Sequence, residues 1–234
     1  MTSKSSKLIK VLTAVAMGAT LAGCVSLGPT SNPIERKFQW LSYIEGEDFR
    51  EACGPSQTSQ YRMVYNGIYT EQLRTYDLSA SGDLRVEVIG GEDLMELEVS
   101  QPSDLLNPWR GKIVNFQLDD VDVENIVTAL DHDGIFGPPN AGLELSSKGF
   151  FWTIAACHEG QYHFTAVNWP SDSWEALTFD DALKQVDLTN IAFNTPRKTD
   201  LRRDREFGVN QATDIEFHTK VGKRGLVRLS DLFQ

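Results

Sequence analysis

Two runs of alternating apolar and polar residues, at 84–89 and 94–99, constrain the fold of this chain more than any other feature. A period of two sends successive side chains to opposite faces of a β-strand, so each run predicts a strand with one buried and one wet face. Glycine-containing turns at 81–83 and 90–93 precede the two runs. Short polar turns between alternating runs indicate an antiparallel meander.

Further strands are predicted where aromatic and β-branched residues are dense. The Asn66-Gly67 dipeptide allows two arrangements: a bulge within one long bent strand, or a tight turn between strands at 61–65 and 69–76. The turn at 158–161 predicts a hairpin. The remaining predicted strands lie at 143–145, 150–156, 162–167 and 215–219.

Three helices are predicted from apolar periodicity and end signals. Asn32-Pro33 is a helix start, with asparagine as N-cap, and the helix is expected to run to Glu45. Three aspartates near residue 120 suit the positive end of a second helix. Thr178 to Asp181 is similar to a capping box and starts the third. The order of elements predicts an α+β fold, a mainly antiparallel sheet (meander plus hairpin) with helices packed on one face.

Charge divides the chain into an acidic body and a basic tail. Residues 25–194 carry 10 Lys/Arg against 27 Asp/Glu, whereas residues 195–234 carry 9 against 6. We therefore predict an α+β domain at 33–194 and a partly docked basic tail at 195–234. An acidic body repels nucleic acid, so nucleic acid is not expected as a partner. The charge serves solubility or attracts a cationic protein.

The N-terminus has the order of a secretory signal. Lys4, Lys7 and Lys10 precede a short apolar run, and small residues then lead to a single cysteine. The apolar run from Leu8 to Ala22 is shorter than the roughly 20 residues that a membrane-spanning helix needs. The residues Leu21-Ala22-Gly23-Cys24 resemble the lipobox of bacterial lipoproteins.

This resemblance implies that residues 1–23 are a signal peptide, that Cys24 is lipidated, and that residues 24–32 are a tether. Two or more acyl chains hold a protein stably on a membrane. Val25 stands where an aspartate favours retention in the inner membrane of Gram-negative cells. The resemblance therefore implies an outer-membrane anchor, and we expect the domain to face the periplasm. No named family matches the mature domain.

With Cys24 assigned to lipid, Cys53 and Cys157 are an even pair in an oxidising compartment. A disulfide between them is the first expectation, and two free thiols are the alternative. A metal site is not expected from so few soft ligands.

Catalytic and cofactor motifs do not stand out in the sequence. The acids at 119–133 lack the glycine and the glutamate that an EF-hand loop requires, so helix capping explains them better. The histidines have no metal-binding spacing, and Cys157-His158 are neighbours that a strand directs to opposite faces. We assign no catalytic residue, no metal ligand and no cofactor from sequence.

Trp169 and Trp174 lie in a predicted loop and are candidates for an exposed binding patch. The leading functional hypothesis is a non-enzymatic, outer-membrane-anchored binding or envelope-scaffold protein. The alternatives are an acidic periplasmic inhibitor of a cationic enzyme and a lipid-anchored hydrolase.

Overall fold

The computed structural model describes residues 33–90, 111–198 and 215–227. The proposed signal peptide and tether, Cys24, the strand predicted at 94–99 and the basic cluster at 202–205 lie outside these residues. None of the described helices is long and apolar enough to cross a membrane.

The described helices and strands follow one another in a simple order. The first half contains α1 (Pro33–Ile44), α2 (Glu47–Ala52), β1 (Gln60–Gly67), β2 (Gln72–Ser79), β3 (Asp83–Ile89) and β4 (Lys112–Gln117). The second half contains α3 (Asp120–His132), β5 (Glu144–Ser146), β6 (Phe150–His158), β7 (Gln161–Trp169), α4 (Asp172–Glu175), α5 (Phe179–Val186), β8 (His218–Gly222) and β9 (Gly225–Leu226).

A six-stranded antiparallel sheet forms the centre of the domain, in the order β4-β3-β2-β1-β6-β7. A smaller sheet has the order β5-β8-β9. The predicted α+β class with a mainly antiparallel sheet is confirmed. Two separate strands form, as in the second predicted arrangement, but Asn66-Gly67 ends β1 in register with β2 and the turn follows at residues 68–71. The turn between them includes Ile68 at a φ of 61°.

The sheet separates two hydrophobic cores. The larger core lies under α3 and α5, which contribute Ile126, Leu130, Phe179 and Leu183. The smaller core contains Trp40 of α1, together with side chains from β5 and β8. Helices were predicted on one face only, but α1 packs against the opposite face. The reason is that β1, β2 and β6 are buried on both faces at their centres, so both faces need cover.

The disulfide predicted between Cys53 and Cys157 is confirmed, with Cα atoms 5.4 Å apart. It joins the residue after α2 to β6. A bridge across a loop of this length stabilises the fold by about 5 kcal/mol at most in the chain-entropy model.

Two local predictions need correction. The capping box at Thr178 is wrong, because its side chain makes no bond within α5; the Asp133 carboxylate accepts from the Thr178 and Phe179 amides at 2.8 and 2.9 Å instead. The carboxylate at the end of α3 thus caps α5. Strand β4 was not predicted, since its alternation is weak and an exposed Ile113 stands among polar residues.

Of the predicted tail, residues 215–227 are described, and they pack onto the smaller core. Phe217 and Val221 are buried there, and β8 pairs with β5. Through these contacts, residues 215–227 hold the smaller sheet against the rest of the domain.

Candidate binding surface

A row of charged residues crosses one face of the large sheet, in register from strand to strand. Arg62 of β1 lies opposite Asp77 of β2, Asp77 lies opposite Arg85 of β3, and Arg85 lies opposite Asn115 of β4. Their neighbours along each strand turn to the larger core, because side chains alternate between faces. We call these four residues the charged ladder.

Every charge of the charged ladder is paired. Arg62 Nε lies 2.6 Å from Asp77 Oδ1, and its Nη1 lies 2.8 Å from Oδ2 of Asp48 on α2. Arg85 contacts Glu87 at 2.6 Å and Asp77 at 3.7 Å. Burial works to lower the pKa of Arg62, but the hydrogen bond and charge of Asp77 outweigh it and raise that pKa.

The charged ladder lines an open groove of about 570 Å³. Phe49 of α2 forms part of the wall, with its ring centroid 4.7 Å from the guanidinium carbon of Arg62. Other lining residues are polar, among them Ser79, Asp83 and Asn115. A shallow groove with oriented, paired charges suits recognition of a polar surface, since rim charges set specificity and encounter rate.

The groove reaches the edge of the sheet. Strand β4 is the terminal strand, and its Ile113, Asn115 and Gln117 are exposed. The other terminal strand, β7, is covered at its centre, where Asn140 bonds the amide and carbonyl of Ala166. Among the described residues, the edge strand β7 is therefore hydrogen-bonded to a loop side chain, whereas the outward residues of the edge strand β4 are exposed.

The other face of β2 holds Arg74, whose side chain is fully buried. Arg74 has no exposed side-chain surface, and Asp187 is 5% exposed. The two form an ion pair, and the Tyr76 hydroxyl donates to the same Asp187 oxygen at 2.5 Å. Arg74 also donates to the Ile191 carbonyl at 2.6 Å. We call Arg74, Tyr76 and Asp187 the buried triad.

The buried triad fastens the segment that follows α5 across the sheet. The ring of Phe193 lies 3.9 Å from the guanidinium carbon of Arg74. Burial works to raise the pKa of Asp187, but hydrogen bonds from Thr189 and Tyr76 and the charge of Arg74 hold it below its ordinary value. Burial raises the pKa of Tyr76. The network orders a chain segment in the core and faces away from the groove.

Two histidines meet at the end of the hairpin formed by β6 and β7. Phe136 stacks on His158 with ring centroids 4.1 Å apart, and it meets His163 edge-on at 5.5 Å. His158 Nδ1 lies 2.8 Å from the Tyr61 hydroxyl. Burial, and then the neighbouring His158, lower the pKa of His163. The aromatic contacts and the tyrosine bond explain this pair as packing.

The two tryptophans of the predicted patch contact different core side chains. Trp169 and Trp174 are both partly buried against the larger core. Trp169 packs on Phe150 at 6.1 Å, whereas Trp174 packs on Tyr65 at 6.2 Å. Each ring is therefore engaged with the core on one side. Cys24 lies outside the described residues.

The acidic cluster at 119–133 acts in helix capping. Asp119 is the N-cap of α3, and its side chain accepts from the Asp122 amide at 2.9 Å. Within the described ranges, no three side chains of the metal-binding types come together.

Sequence reasoning missed both the charged ladder and the buried triad. Arg74 stands in an alternating run at an inward position, which is an unusual place for arginine and is the one signal that could have revealed it. Its partner Asp187 is 113 residues away. The charged ladder needed the strand register, which the sequence does not contain.

Searches against family models, curated proteins and solved structures find no match to this chain. The fold alone therefore defines the class: an α+β domain with a mainly antiparallel sheet.

Proposed function

We propose that this protein is a lipid-anchored envelope protein that binds another protein, with Cys24 as the acylated residue and the domain in the periplasm. The observation that carries the placement is the order of lysines, short apolar run and Leu21-Ala22-Gly23-Cys24. Binding, rather than catalysis, is the activity we assign to the domain.

The disulfide between Cys53 and Cys157 supports export. Disulfides persist in oxidising compartments such as the periplasm and are rare in the cytosol. Because Cys24 is the only other cysteine of the chain, a disulfide within the domain leaves that one thiol for acylation.

The open groove supports a binding role. Its arginines are held by carboxylates on both sides, so their positions are set before a partner arrives. Preorganised charges at a wide, shallow surface favour a macromolecule, whereas small-molecule sites are usually concave and mostly apolar.

Inhibition of a cationic enzyme is the second candidate, and the charge of the body favours it. The 27 acidic residues against 10 basic ones in 25–194 would attract a basic protein over long range. Such attraction weakens as salt is added, because the screening length shortens.

The placement is tested by expressing the full chain in a Gram-negative host and determining the mass of the mature protein. We expect a first residue of Cys24 carrying lipid, and recovery in the outer-membrane fraction. Val25→Asp should move the protein to the inner membrane, while Val25→Thr, the matched control, should leave it in place. An intact leader or a Cys24 without lipid mass would overturn the proposal.

The orientation is tested with added protease. A periplasm-facing domain is protected in intact cells and is cleaved once the outer membrane is permeabilised. Cleavage in intact cells would place the domain on the cell surface.

A further inference from the structure

We propose that the outer edge of β4, which no strand of the described residues covers, is the docking site for an extended, cationic segment of the partner, which adds to the large sheet as a further strand. This inference rests on the proposed binding function and names the surface and the chemistry of the partner. Main-chain hydrogen bonds supply affinity in such strand addition, and alternate side chains supply specificity.

The backbone of β4 has outward-facing donors and acceptors. The Leu118 amide donates to the Gly82 carbonyl at 2.9 Å, so this pair is hydrogen-bonded. Hydrogen-bonded and non-bonded pairs alternate in an antiparallel ladder. Residues 112, 114 and 116 therefore bond β3, and residues 113, 115 and 117 direct N–H and C=O groups away from the sheet. The described part of the chain provides no strand beyond them.

Exposed apolar side chains occur on β4 and on the segments that follow β4 and α5. Ile113 is 44% exposed, and Val121, which follows β4 at the start of α3, is 63% exposed. Leu188 is also 63% exposed and precedes Thr189, whose carbonyl accepts from Lys112 Nζ at 3.0 Å. Lys112 is thereby held to the body of the protein. A charged side chain on an exposed edge would discourage strand addition, and this one is occupied.

The two faces of an added strand would meet different surroundings. One face meets Val114 and Phe116, which are partly exposed beside the larger core. The other face meets the outward side chains of β3, where the carboxylates of Asp83 and Glu87 outnumber the guanidinium group of Arg85 between them. Arg85 is already paired with carboxylates.

This arrangement specifies an occupant with apolar residues at alternate positions and lysine or arginine between them. Apolar side chains would cover Val114 and Phe116, and the basic ones would lie beside Asp83 and Glu87 of β3. A second copy of this chain is a poor occupant, because two bodies of the same negative charge repel.

The test uses the complete chain, purified in micelles of the neutral detergent dodecyl maltoside. The probes are two blocked octapeptides, (Val-Lys)4 and (Val-Glu)4. We expect (Val-Lys)4 to slow amide hydrogen exchange at Ile113, Asn115 and Gln117. The amides of Lys112, Val114 and Phe116 are already bonded to β3 and should change little. (Val-Glu)4 should bind at least ~10-fold more weakly, since like charges repel.

Asn115→Pro gives the discriminating variant. Proline is tolerated on an edge strand when its nitrogen faces outward, so the ladder to β3 is kept while one donor is lost and the ring covers the edge. We expect (Val-Lys)4 to bind this variant at least ~10-fold more weakly. Asn115→Thr, the matched variant, keeps the backbone donor at the same position, and we expect it to bind (Val-Lys)4 at least ~10-fold more tightly than Asn115→Pro does. Thermal melting checks that both variants are folded.

Equal binding of (Val-Lys)4 to Asn115→Pro and Asn115→Thr would overturn the proposal, as would protection of no β4 amide. Equal binding of the acidic peptide would remove the cationic specificity. Concentration-dependent dimerisation that Asn115→Pro abolishes would assign the edge to a second copy instead. These outcomes are independent of Cys24, so a failure of the lipid anchor and a failure of the docking site are read separately.

Discussion

Strand β2 carries an arginine–aspartate system on each of its faces, and the two differ in what surrounds them. On one face Arg74 pairs with Asp187, and neither side chain is more than 5% exposed. On the other face Asp77 pairs with Arg62 and Arg85, with exposed fractions between 20% and 39%. Arginine–aspartate pairs thus occur on both faces of this strand, buried on one face and partly exposed on the other.

The difference teaches that burial decides the role of each pair. Removing one partner of a buried ion pair leaves an uncompensated charge and typically costs about 3–5 kcal/mol. Exposed pairs contribute about 0–1 kcal/mol, because water screens them and long side chains lose entropy. The buried triad therefore contributes more to the stability of the fold than the charged ladder does.

Arg74→Ala is the substitution with the largest expected effect on stability. We expect it to lower the free energy of unfolding by about 3–5 kcal/mol, because Asp187 is left buried without its cation. Urea unfolding at pH 7 measures the change. Arg85→Ala is the control on the wet face and should cost less than about 1 kcal/mol. Similar losses at the two positions would contradict the assignment of roles.

Asp187→Asn tests whether the charge of Asp187 stabilises the buried triad, because that contribution depends on pH. We expect it to cost about 2–3 kcal/mol near pH 7, since hydrogen bonds to a charged group are lost. The lowered pKa of Asp187 means that its charge stabilises the native state above the ordinary aspartate pKa of 3.8. That contribution disappears as the pH falls through the lowered native pKa.

The measurement is urea unfolding of the original chain and of Asp187→Asn between pH 7 and pH 2. The stability difference between them should stay constant down to the ordinary aspartate range and then shrink. A difference that does not change with pH would show that the Asp187 charge is not what the buried triad uses.

Tyr76→Phe removes a single hydroxyl from the buried triad. Because this hydroxyl donates to Asp187 at 2.5 Å, its loss should cost about 1.5–3 kcal/mol. Tyr69→Phe is the matched control, since the Tyr69 hydroxyl makes a 3.4 Å contact with Gln39 in an exposed position. Thermal or urea unfolding should show a cost of less than about 0.5 kcal/mol there. Equal costs for the two tyrosines would remove the distinction between the faces.

Asp77→Ala gives the smallest expected effect. It should change the free energy of unfolding by less than about 1 kcal/mol, since Arg62 retains Asp48 and Arg85 retains Glu87. Unfolding in 50 mM and in 500 mM salt measures it, and the small effect should shrink further in high salt. A loss comparable with that of Arg74→Ala would mean that the charged ladder is part of the structural core.

Features that depend on residues close together in the sequence were predicted better than features that depend on distant residues. Strands such as β3 and β6 were predicted because alternation and turn residues are local. Strand β4 was missed, since its weak alternation is overridden by pairing with β3. The capping box at Thr178 failed for a related reason: a carboxylate from another helix supplied the bonds that the local pattern suggested.

The candidate surface was less accessible to sequence reasoning than the fold. Trp169 and Trp174 were chosen because aromatic residues in loops are often exposed, but core residues nearby cover one side of each ring. The residues of the charged ladder look like ordinary outward positions of separate strands. Only their register places Arg62, Asp77 and Arg85 side by side.

The sequence by itself determined the α+β class and most strands, because these depend on side-chain period and turn chemistry within about ten residues. Only the tertiary structure decided that Arg74 is buried, whereas Arg62 and Arg85, on the strands next to β2, are partly exposed. That choice depends on a segment more than 100 residues further along the chain, which covers one face of the strand and leaves the other open.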